Sequence, residues 1–280
     1  MCRLFGFRSI ILSQVHQSLV EADNALGTQS INNPDGWGVA YYLGSTPHLI
    51  KSDTSAITCD IFKKVSGVVT SHSVIAHIRK STIGKHSILN THPFQFANWV
   101  FAHNGNIKNF SKYRNKLEQL VSKKLKKYIL GETDSELLFF IIMSFIGEKY
   151  DLINGIFEIE KVARIIKYAI NKINDIIGPS SEIDNAGEDE TYLTFILSNG
   201  DIMLSHKAGK HLHYSTYKNR CADRDRCSSF AEMCEAPTKD GYINHLIFSS
   251  EPLSGENIWL RMENNQMIGT DKSMKLFISK

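Results

Sequence analysis

The chain has 280 residues, of which 42% are hydrophobic and 10% aromatic, and it carries a formal net charge of +3 at neutral pH. This composition supplies enough apolar side chains for a core and excludes a disordered or fibrous chain. The charge is too small to indicate nucleic-acid binding, which requires a clustered basic surface. No stretch approaches the ~20 apolar residues of a membrane-spanning helix.

The cysteine content bears on the cellular compartment. The chain has five cysteines, and Gly6 and Arg8 interrupt the apolar stretch near its start, so that we expect no secretory signal. An odd number of cysteines without an export signal predicts reduced thiols and a cytoplasmic location.

The first hundred residues alternate short β-type segments with Gly, Asn and Pro turns. Helical spacing over residues 15–27 predicts a helix that ends at Gly27. Strands are predicted at residues 36–43, 73–78 and 99–107. The last of these strands is expected to run into a turn at Asn104-Gly105.

The middle of the chain has helical patterns. Residues 113–130 read as an amphipathic helix whose lysines form a solvated face. The stretch Thr133-Asp134-Ser135-Glu136 offers capping groups at the start of a buried helix that contains the apolar run 137–146. A further helix is predicted at 156–177, ended by Gly178-Pro179.

The last third returns to β-type segments. Residues 182–190 form an acidic loop, and 192–209 predict a hairpin that turns at Asn199-Gly200. Further strands are predicted at residues 245–253, 258–262 and 274–279. The order of strands, helices and strands favours antiparallel sheets with helices packed outside them.

Cys2 directly follows the initiator methionine. If Met1 is removed, Cys2 carries both a thiol and a free α-amine, whose pKa is ordinarily roughly 7.7–8.0. Such an amine can accept the thiol proton and return it to a leaving amine, so that one residue supplies nucleophile and base. The dipeptide Met-Cys alone is no evidence of function, because a cysteine can occur at position 2 by chance.

Three further groups of residues could together bind an α-amino acid, which carries a carboxylate and an ammonium group. The Asn104 amide and the Gly105 N–H could donate to one oxyanion, although Asn-Gly alone signals a turn. Arg79 could clamp a carboxylate, or serve as a surface salt-bridge partner. Asp134 could receive an ammonium group, cap a helix, or do both.

Six stretches in chain order resemble the class II glutamine amidotransferases of the Ntn-hydrolase superfamily, and most of all its small stand-alone members, which include enzymes acting on γ-glutamyl compounds. They are MCRLFG (1–6), NPDGWGVAYY (33–42), HIRKST (77–82), NTHPF (90–94), AHNG (102–105) and GETDSE (131–136). SSEPL (249–253) also matches. The resemblance implies an α+β fold, a four-layer αββα sandwich of two antiparallel sheets flanked by helices. It implies one amidotransferase domain over residues 1–280, with a variable insertion near 206–241.

The resemblance also implies roles for particular residues. Cys2 would be the nucleophile, and Asn104 and Gly105 the oxyanion hole. Arg79 would bind the α-carboxylate of the substrate, and Asp134 would bind its α-ammonium group. Thr82 would also contact the substrate. No metal or organic cofactor is implied.

Other positions receive structural roles or depart from the family. Asp35 and Gly36 would shape the backbone near the nucleophile. His92 and His103 are expected to make structural hydrogen bonds. Lys80 and Ile83 stand where larger members often have Trp and His, so the loop over the substrate is expected to differ.

The function predicted is hydrolysis of the γ-amide of glutamine, or of a γ-glutamyl compound, through a thioester on Cys2. The ammonia could serve a separate synthase or amine-acceptor subunit, or the chain could hydrolyse γ-glutamyl amides of thiol peptides for their own sake. A non-catalytic binding module that keeps the pocket is a further alternative. A nucleic-acid or membrane-surface protein using Lys123–Lys127 is opposed by the modest charge.

Two other residue clusters were weighed. Cys221, Cys227 and Cys234, with His211 and His213 upstream, have spacings that fit no compact zinc knuckle, which favours an exposed loop insertion. The Ser249-Ser250-Glu251 cluster lacks the G-x-S-x-G pattern of a serine nucleophile.

Overall fold

In a computed structural model of the protein, which describes residues 2–184, 187 and 189–279, two antiparallel sheets pack face to face with helices outside them. The strands are β1 (Arg3–Gln14), β2 (Trp37–Leu43), β3 (Thr46–Ser52), β4 (Thr70–Ile78), β5 (Phe94–Phe96), β6 (Trp99–Asn106), β7 (Tyr192–Ser198), β8 (Met203–Lys207), β9 (His213–Ser215), β10 (His245–Ser249), β11 (Leu260–Arg261), β12 (Gln266–Thr270) and β13 (Leu276–Ile278). The α-helices are α1 (Leu26–Gln29), α2 (Asp60–Val68), α3 (Phe110–Glu118), α4 (Asp134–Gly147) and α5 (Ile159–Ile177). The predicted four-layer α+β architecture is therefore confirmed.

The first sheet has the strand order β11-β9-β10-β1-β4-β2-β3, and the second β13-β12-β8-β7-β6-β5. β1 lies at the centre of the first sheet between β10 and β4, and β6 lies near one edge of the second. The ends of β1, β4 and β6 provide the residues of the candidate site.

The core has three apolar layers because both faces of both sheets are covered. Along β1, Leu4 and Gly6 face the second sheet, and a Cβ at Gly6 would lie 3.0 Å from Ile196. The next residue in each case points the other way: Phe5 and Phe7 pack toward the side of α1 and α2. A strand buried on both faces loses the polar alternation of a half-exposed strand, which explains why the sequence did not predict β1.

Several sequence predictions are confirmed. β7 and β8 form the hairpin, with the turn at Asn199-Gly200. α4 is buried almost throughout, and its N-cap Thr133 accepts a hydrogen bond from Glu136 N at 3.2 Å. α5 ends at Gly178, whose φ of 91° suits glycine.

Two helix predictions were wrong. Residues 15–27 form a π-helix at Gln17–Glu21, and Gly27 lies within α1 instead of ending a helix. A Cβ at Gly27 would lie 3.1 Å from the Phe62 ring. The helix predicted at 113–130 ends at Glu118, since Ser122 N donates to Ser144 Oγ at 2.9 Å instead of to a helical carbonyl. The acidic loop 182–190 falls partly outside the described residues. No helix in the described part of the chain has the length and hydrophobicity to cross a membrane.

Candidate active site

Cys2 lies at the start of β1, where its neighbour Arg3 pairs with Ile78 at the end of β4. This register brings the thiol to the residues that follow β4. Lys80 N donates to Cys2 Sγ at 3.2 Å, and Sγ donates to Lys80 O at the same distance. Burial raises the pKa of the Cys2 thiol, while the Lys80 N–H and the Arg79 charge oppose the rise. Met1, on whose removal the predicted α-amine depends, lies outside the described residues.

Arg79 is buried, with 3% of its surface exposed, and forms no ion pair with a carboxylate among the described residues. The surface salt bridge considered for it is therefore wrong. Its Nη2 donates to Ser81 Oγ at 3.0 Å and to Ile83 O at 3.2 Å, so the guanidinium holds the loop after β4. Burial lowers its pKa, and the nearby Cys2 and Asp35 oppose this. A buried guanidinium that is not paired with a carboxylate of the protein can bind the anionic group of a ligand.

The same loop is attached to the segment before β2. Asp35 Oδ2 accepts a hydrogen bond from Ser81 N at 2.8 Å, and Arg79 N donates to Gly36 O at 2.8 Å. Gly36 has a φ of 133°, and a Cβ there would lie 2.9 Å from Ser52 O, so only glycine fits. Thr82 lies in this loop with an exposed side chain.

Asn104 and Gly105 lie inside β6, paired with Thr194 and Leu193 of β7, so the predicted turn at Asn104-Gly105 is wrong. Gly105 is required because a Cβ would overlap the ring of His103, which folds over the same face of the strand. The Asn104 side chain is buried, with 5% of its surface exposed, and its amide carries two N–H donors. Such a donor can stabilise an oxyanion.

Asp134 is the first residue of α4 and follows the N-cap Thr133, so it is not itself the cap. Its carboxylate accepts Ile107 N and Ser135 N at 2.8 Å each. These bonds attach it to the end of β6. Burial raises its pKa to about 6, and the hydrogen bonds oppose the rise. Its negative charge contributes to the raised pKa of Cys2, so the two groups interact across the sheets.

Buried histidines connect these groups, and the sequence motifs did not indicate this. His77 Nε2 lies 3.2 Å from His103 O, which links β4 to the peptide that precedes Asn104. His103 Nδ1 lies 3.0 Å from Ser135 Oγ, beside Asp134. Burial lowers the pKa of His77 and of His103 to about 3, so both are neutral. The structural hydrogen bonding expected of His103 is thereby confirmed.

For His92 that expectation is wrong, because neither ring nitrogen has a partner among the described residues. Its ring instead packs on His77, with 4.1 Å between centroids. Across residues 2–184, 187 and 189–279, no group of three or more His, Cys, Asp and Glu side chains is placed to hold a metal ion. This includes the Cys221, Cys227 and Cys234 segment.

The structure therefore provides a thiol, a buried guanidinium, a buried carboxylate and a buried side-chain amide. Arg79 and Asp134 each interact electrostatically with Cys2, and Asn104 lies in the strand whose end Asp134 holds. Thr82 shares the loop of Arg79 but has no recorded contact with the thiol. A cation and an anion beside a nucleophile suit the zwitterionic head group of an α-amino acid.

Comparisons with known proteins find similar sequences over most of the chain. Residues 1–274 match the family model described as glutamine amidotransferases class-II. A Haemophilus influenzae protein assigned as a glutamine amidotransferase is 28% identical over 280 residues, which covers 96% of this chain and 83% of the relative. The γ-glutamyl-hercynylcysteine sulfoxide hydrolase of Mycobacterium tuberculosis is 29% identical over 115 residues, covering 38% of this chain and 49% of that protein.

Solved structures share the fold. A glutamine aminotransferase class-II domain protein from Silicibacter pomeroyi has a TM-score of 0.61 and 16% identity, covering 100% of this chain and 99% of that one. The glutamine phosphoribosylpyrophosphate amidotransferase of B. subtilis has a TM-score of 0.62 and 15% identity, covering 100% of this chain and 49% of that one.

Proposed function

Because the chain belongs to the class II glutamine amidotransferases, a family of enzymes, we propose that it hydrolyses the γ-amide of glutamine or of a γ-glutamyl compound with Cys2 as nucleophile. The observation that supports this most is the position of the Cys2 thiol beside Arg79 and within the field of Asp134. A nucleophile that has a cation and an anion nearby can reach the γ-carbonyl of a glutamyl group whose head group those charges bind.

The reaction begins with the loss of Met1, which exposes the α-amine of Cys2. The amine takes the thiol proton, and the thiolate attacks the γ-carbonyl carbon to form a tetrahedral oxyanion. The Asn104 side-chain amide and the Gly105 N–H donate to this oxygen, and one such donor contributes roughly 3–4 kcal/mol. The α-ammonium then protonates the leaving amine as the C–N bond breaks, which leaves a γ-glutamyl thioester.

Water completes the cycle. The α-amine accepts a proton from water as its oxygen attacks the thioester carbonyl, and the same two donors hold the second oxyanion. The C–S bond breaks, the thiolate recovers its proton, and glutamate leaves. Each turnover consumes one water and releases one amine, and no metal or organic cofactor takes part.

Substrate binding rests on the two buried charges. Arg79 binds the α-carboxylate through a charge-assisted hydrogen bond, and Asp134 binds the α-ammonium. With a pKa of about 6, the Asp134 carboxyl is mostly ionised at neutral pH, and a bound ammonium would lower that pKa. Thr82 adds a hydroxyl at the rim, supported by its place on the loop that Arg79 holds.

The domain organisation is part of the proposal. Strands from β1 to β13 all belong to the two sheets, which supports one amidotransferase domain over the chain. The insertion near 206–241 then corresponds to the segment around β9 and the irregular residues that follow it.

Two substrate classes remain. The similarity of 115 residues to a γ-glutamyl-hercynylcysteine sulfoxide hydrolase supports hydrolysis of a γ-glutamyl compound. Transfer of ammonia from glutamine to a separate synthase is the second class. We favour the first because its reaction needs no second protein.

Glutamate release tests the proposal. The purified chain is incubated with glutamine and with γ-glutamylcysteine, and glutamate is measured for the native protein and for Cys2→Ala. The proposal expects release from at least one substrate by the native protein and none above background by the variant. Equal release by both proteins would remove Cys2 from the mechanism, and a folded native protein inactive on every γ-glutamyl amide would favour the binding module.

A further inference from the structure

A cavity lies at the opposite end of β1 from Cys2. Its volume is about 420 Å³, within the range of small-molecule sites. One wall is β1 from Ser9 onward, and His245 of β10 pairs with Ser9 there. Because a strand rises ~3.3 Å per residue, Ser9 lies roughly 23 Å along β1 from Cys2. The opposite wall is the irregular segment after β9, which carries Cys221, Cys227 and Cys234.

Two buried polar atoms of the cavity lining have no hydrogen-bond partner in the described structure. They are His245 Nε2 and Asn257 Oδ1. The His245 residue is only 8% exposed. Folded proteins pair nearly all buried polar atoms, so two orphans in one cavity indicate that a ligand supplies their partners.

A cation completes the polar group. Lys218 lines the cavity and forms a β-bridge with Asn257. Its ammonium makes no ion pair with any carboxylate that the structure describes. Burial, together with the Lys218 charge, lowers the pKa of His245 to about 4, so the imidazole is neutral and can donate from Nε2. Lys218, His245 and Asn257 therefore face one volume with two donors and one acceptor.

The β1 wall of the cavity also carries large aliphatic side chains. Ile10, Ile11 and Leu12 line the cavity and keep 40%, 37% and 60% of their surfaces exposed. Large aliphatic side chains that line a concave surface lose water when an apolar group binds there.

We propose that this cavity binds a small α-amino acid with an apolar side chain, at a site separate from the candidate active site. Lys218 and His245 Nε2–H donate to the carboxylate, and Asn257 Oδ1 accepts from the ammonium. The side chain packs on Ile10–Leu12. This site does not depend on the proposed function, because none of its residues belongs to the candidate active site.

Calorimetric titration of the full chain with L-leucine and L-phenylalanine tests the proposal. At least one should bind saturably at concentrations up to about 10 mM. Leucinol lacks the carboxylate and 4-methylpentanoate lacks the amine, and each should bind at least about tenfold more weakly than leucine. The absence of saturable binding, or equal binding of leucinol and leucine, would overturn the proposal.

Variants locate the binding. Lys218→Met and Asn257→Leu should each weaken leucine binding by about tenfold or more. Lys218→Met keeps the backbone bond from Lys218 N to Cys234 O at 2.8 Å, so the segment should keep its fold, which circular dichroism checks. The matched control is Lys239→Met, an exposed lysine of the same segment that is paired with Glu232 and should change nothing.

Asp134→Asn separates this cavity from the candidate active site, which is also proposed to bind an amino acid. Leucine binding that survives Asp134→Asn and is weakened by Lys218→Met supports the second site. Binding lost in Asp134→Asn and unchanged in both Lys218→Met and Asn257→Leu would assign the leucine to the active site and overturn the proposal. Glutamate release by Lys218→Met without leucine should match that of the native protein.

Discussion

The Cys2 thiol bonds to both backbone groups of Lys80, accepting from the N–H and donating to the carbonyl at 3.2 Å each. Deprotonation keeps the first bond and loses the second. Burial also disfavours the thiolate, so the pKa of Cys2 is raised in the free protein. The thiol therefore needs a nearby base, and the α-amine left by removal of Met1 is the group we propose.

Replacement of the thiol tests this directly. Cys2→Ala should lower glutamate release by at least ~10³-fold, because a covalent route is lost while substrate binding remains. Thermal unfolding should shift little, since Cys2 is only half-buried. Cys59→Ala is the matched control, because Cys59 is also half-buried and lies outside the site. Full activity in Cys2→Ala, or equal loss in Cys59→Ala, would contradict the assignment.

Arg79→Lys should lower kcat/KM for glutamine by roughly 10- to 100-fold, because a buried charge-assisted hydrogen bond contributes ~1.5–3 kcal/mol. Arg79 also donates hydrogen bonds to Ser81 and Ile83. The loss of binding to the carboxylate must therefore be distinguished from a change in the structure of this loop. The substrate 4-aminobutanamide lacks the α-carboxylate. It should be a poor substrate of the native enzyme and suffer little further loss in Arg79→Lys. An equal loss of kcat/KM on both substrates would show that Arg79 stabilises the loop and does not bind the α-carboxylate.

The pKa of Asp134, raised to about 6 by burial, predicts pH-dependent substrate affinity. The ionised carboxylate binds the α-ammonium, so KM for glutamine should rise as the pH falls below about 6. Asp134→Asn should have a high KM without this inflection. 4-Carbamoylbutanoate, which lacks the ammonium, should show no inflection with the native enzyme. An inflection that persists in Asp134→Asn would belong to another group.

The same pKa also predicts a trend in stability. The unfolded chain releases this proton near 3.8 and the folded chain near 6, so the folded state binds more protons between these values. The free energy of unfolding therefore falls as the pH rises through this window, by up to roughly 3 kcal/mol from this group. Urea unfolding should show a flatter pH dependence for Asp134→Asn than for the native chain. The exposed control Asp53→Asn should retain the native slope, and a native slope in Asp134→Asn would contradict the prediction.

Gly105→Ala should lower both activity and stability, because the new methyl group overlaps the His103 ring and displaces its bond to Ser135 Oγ. Overpacking of this kind costs roughly 1–3 kcal/mol. In His103→Ala the ring is absent, so adding Gly105→Ala should cost much less. The double-mutant cycle by urea unfolding measures this coupling. Additive losses would show that the two residues act independently.

The fold and the proposed active-site residues could be predicted from the sequence, because six short motifs in chain order resemble one family. It failed where tertiary packing decided the local structure. Asn104-Gly105 has the composition of a turn, yet pairing with β7 keeps it in a strand. The role of His77 could not be predicted, because its bond to His103 joins strands of different sheets.

Trapping the covalent intermediate tests the central claim most directly. The native chain is mixed with γ-glutamylcysteine, quenched in acid within the first turnover and examined by intact mass and peptide mapping. The account predicts a chain without Met1 that carries one γ-glutamyl group on Cys2, removable by hydroxylamine. An active chain that retains Met1, or an adduct on any other residue, would contradict it.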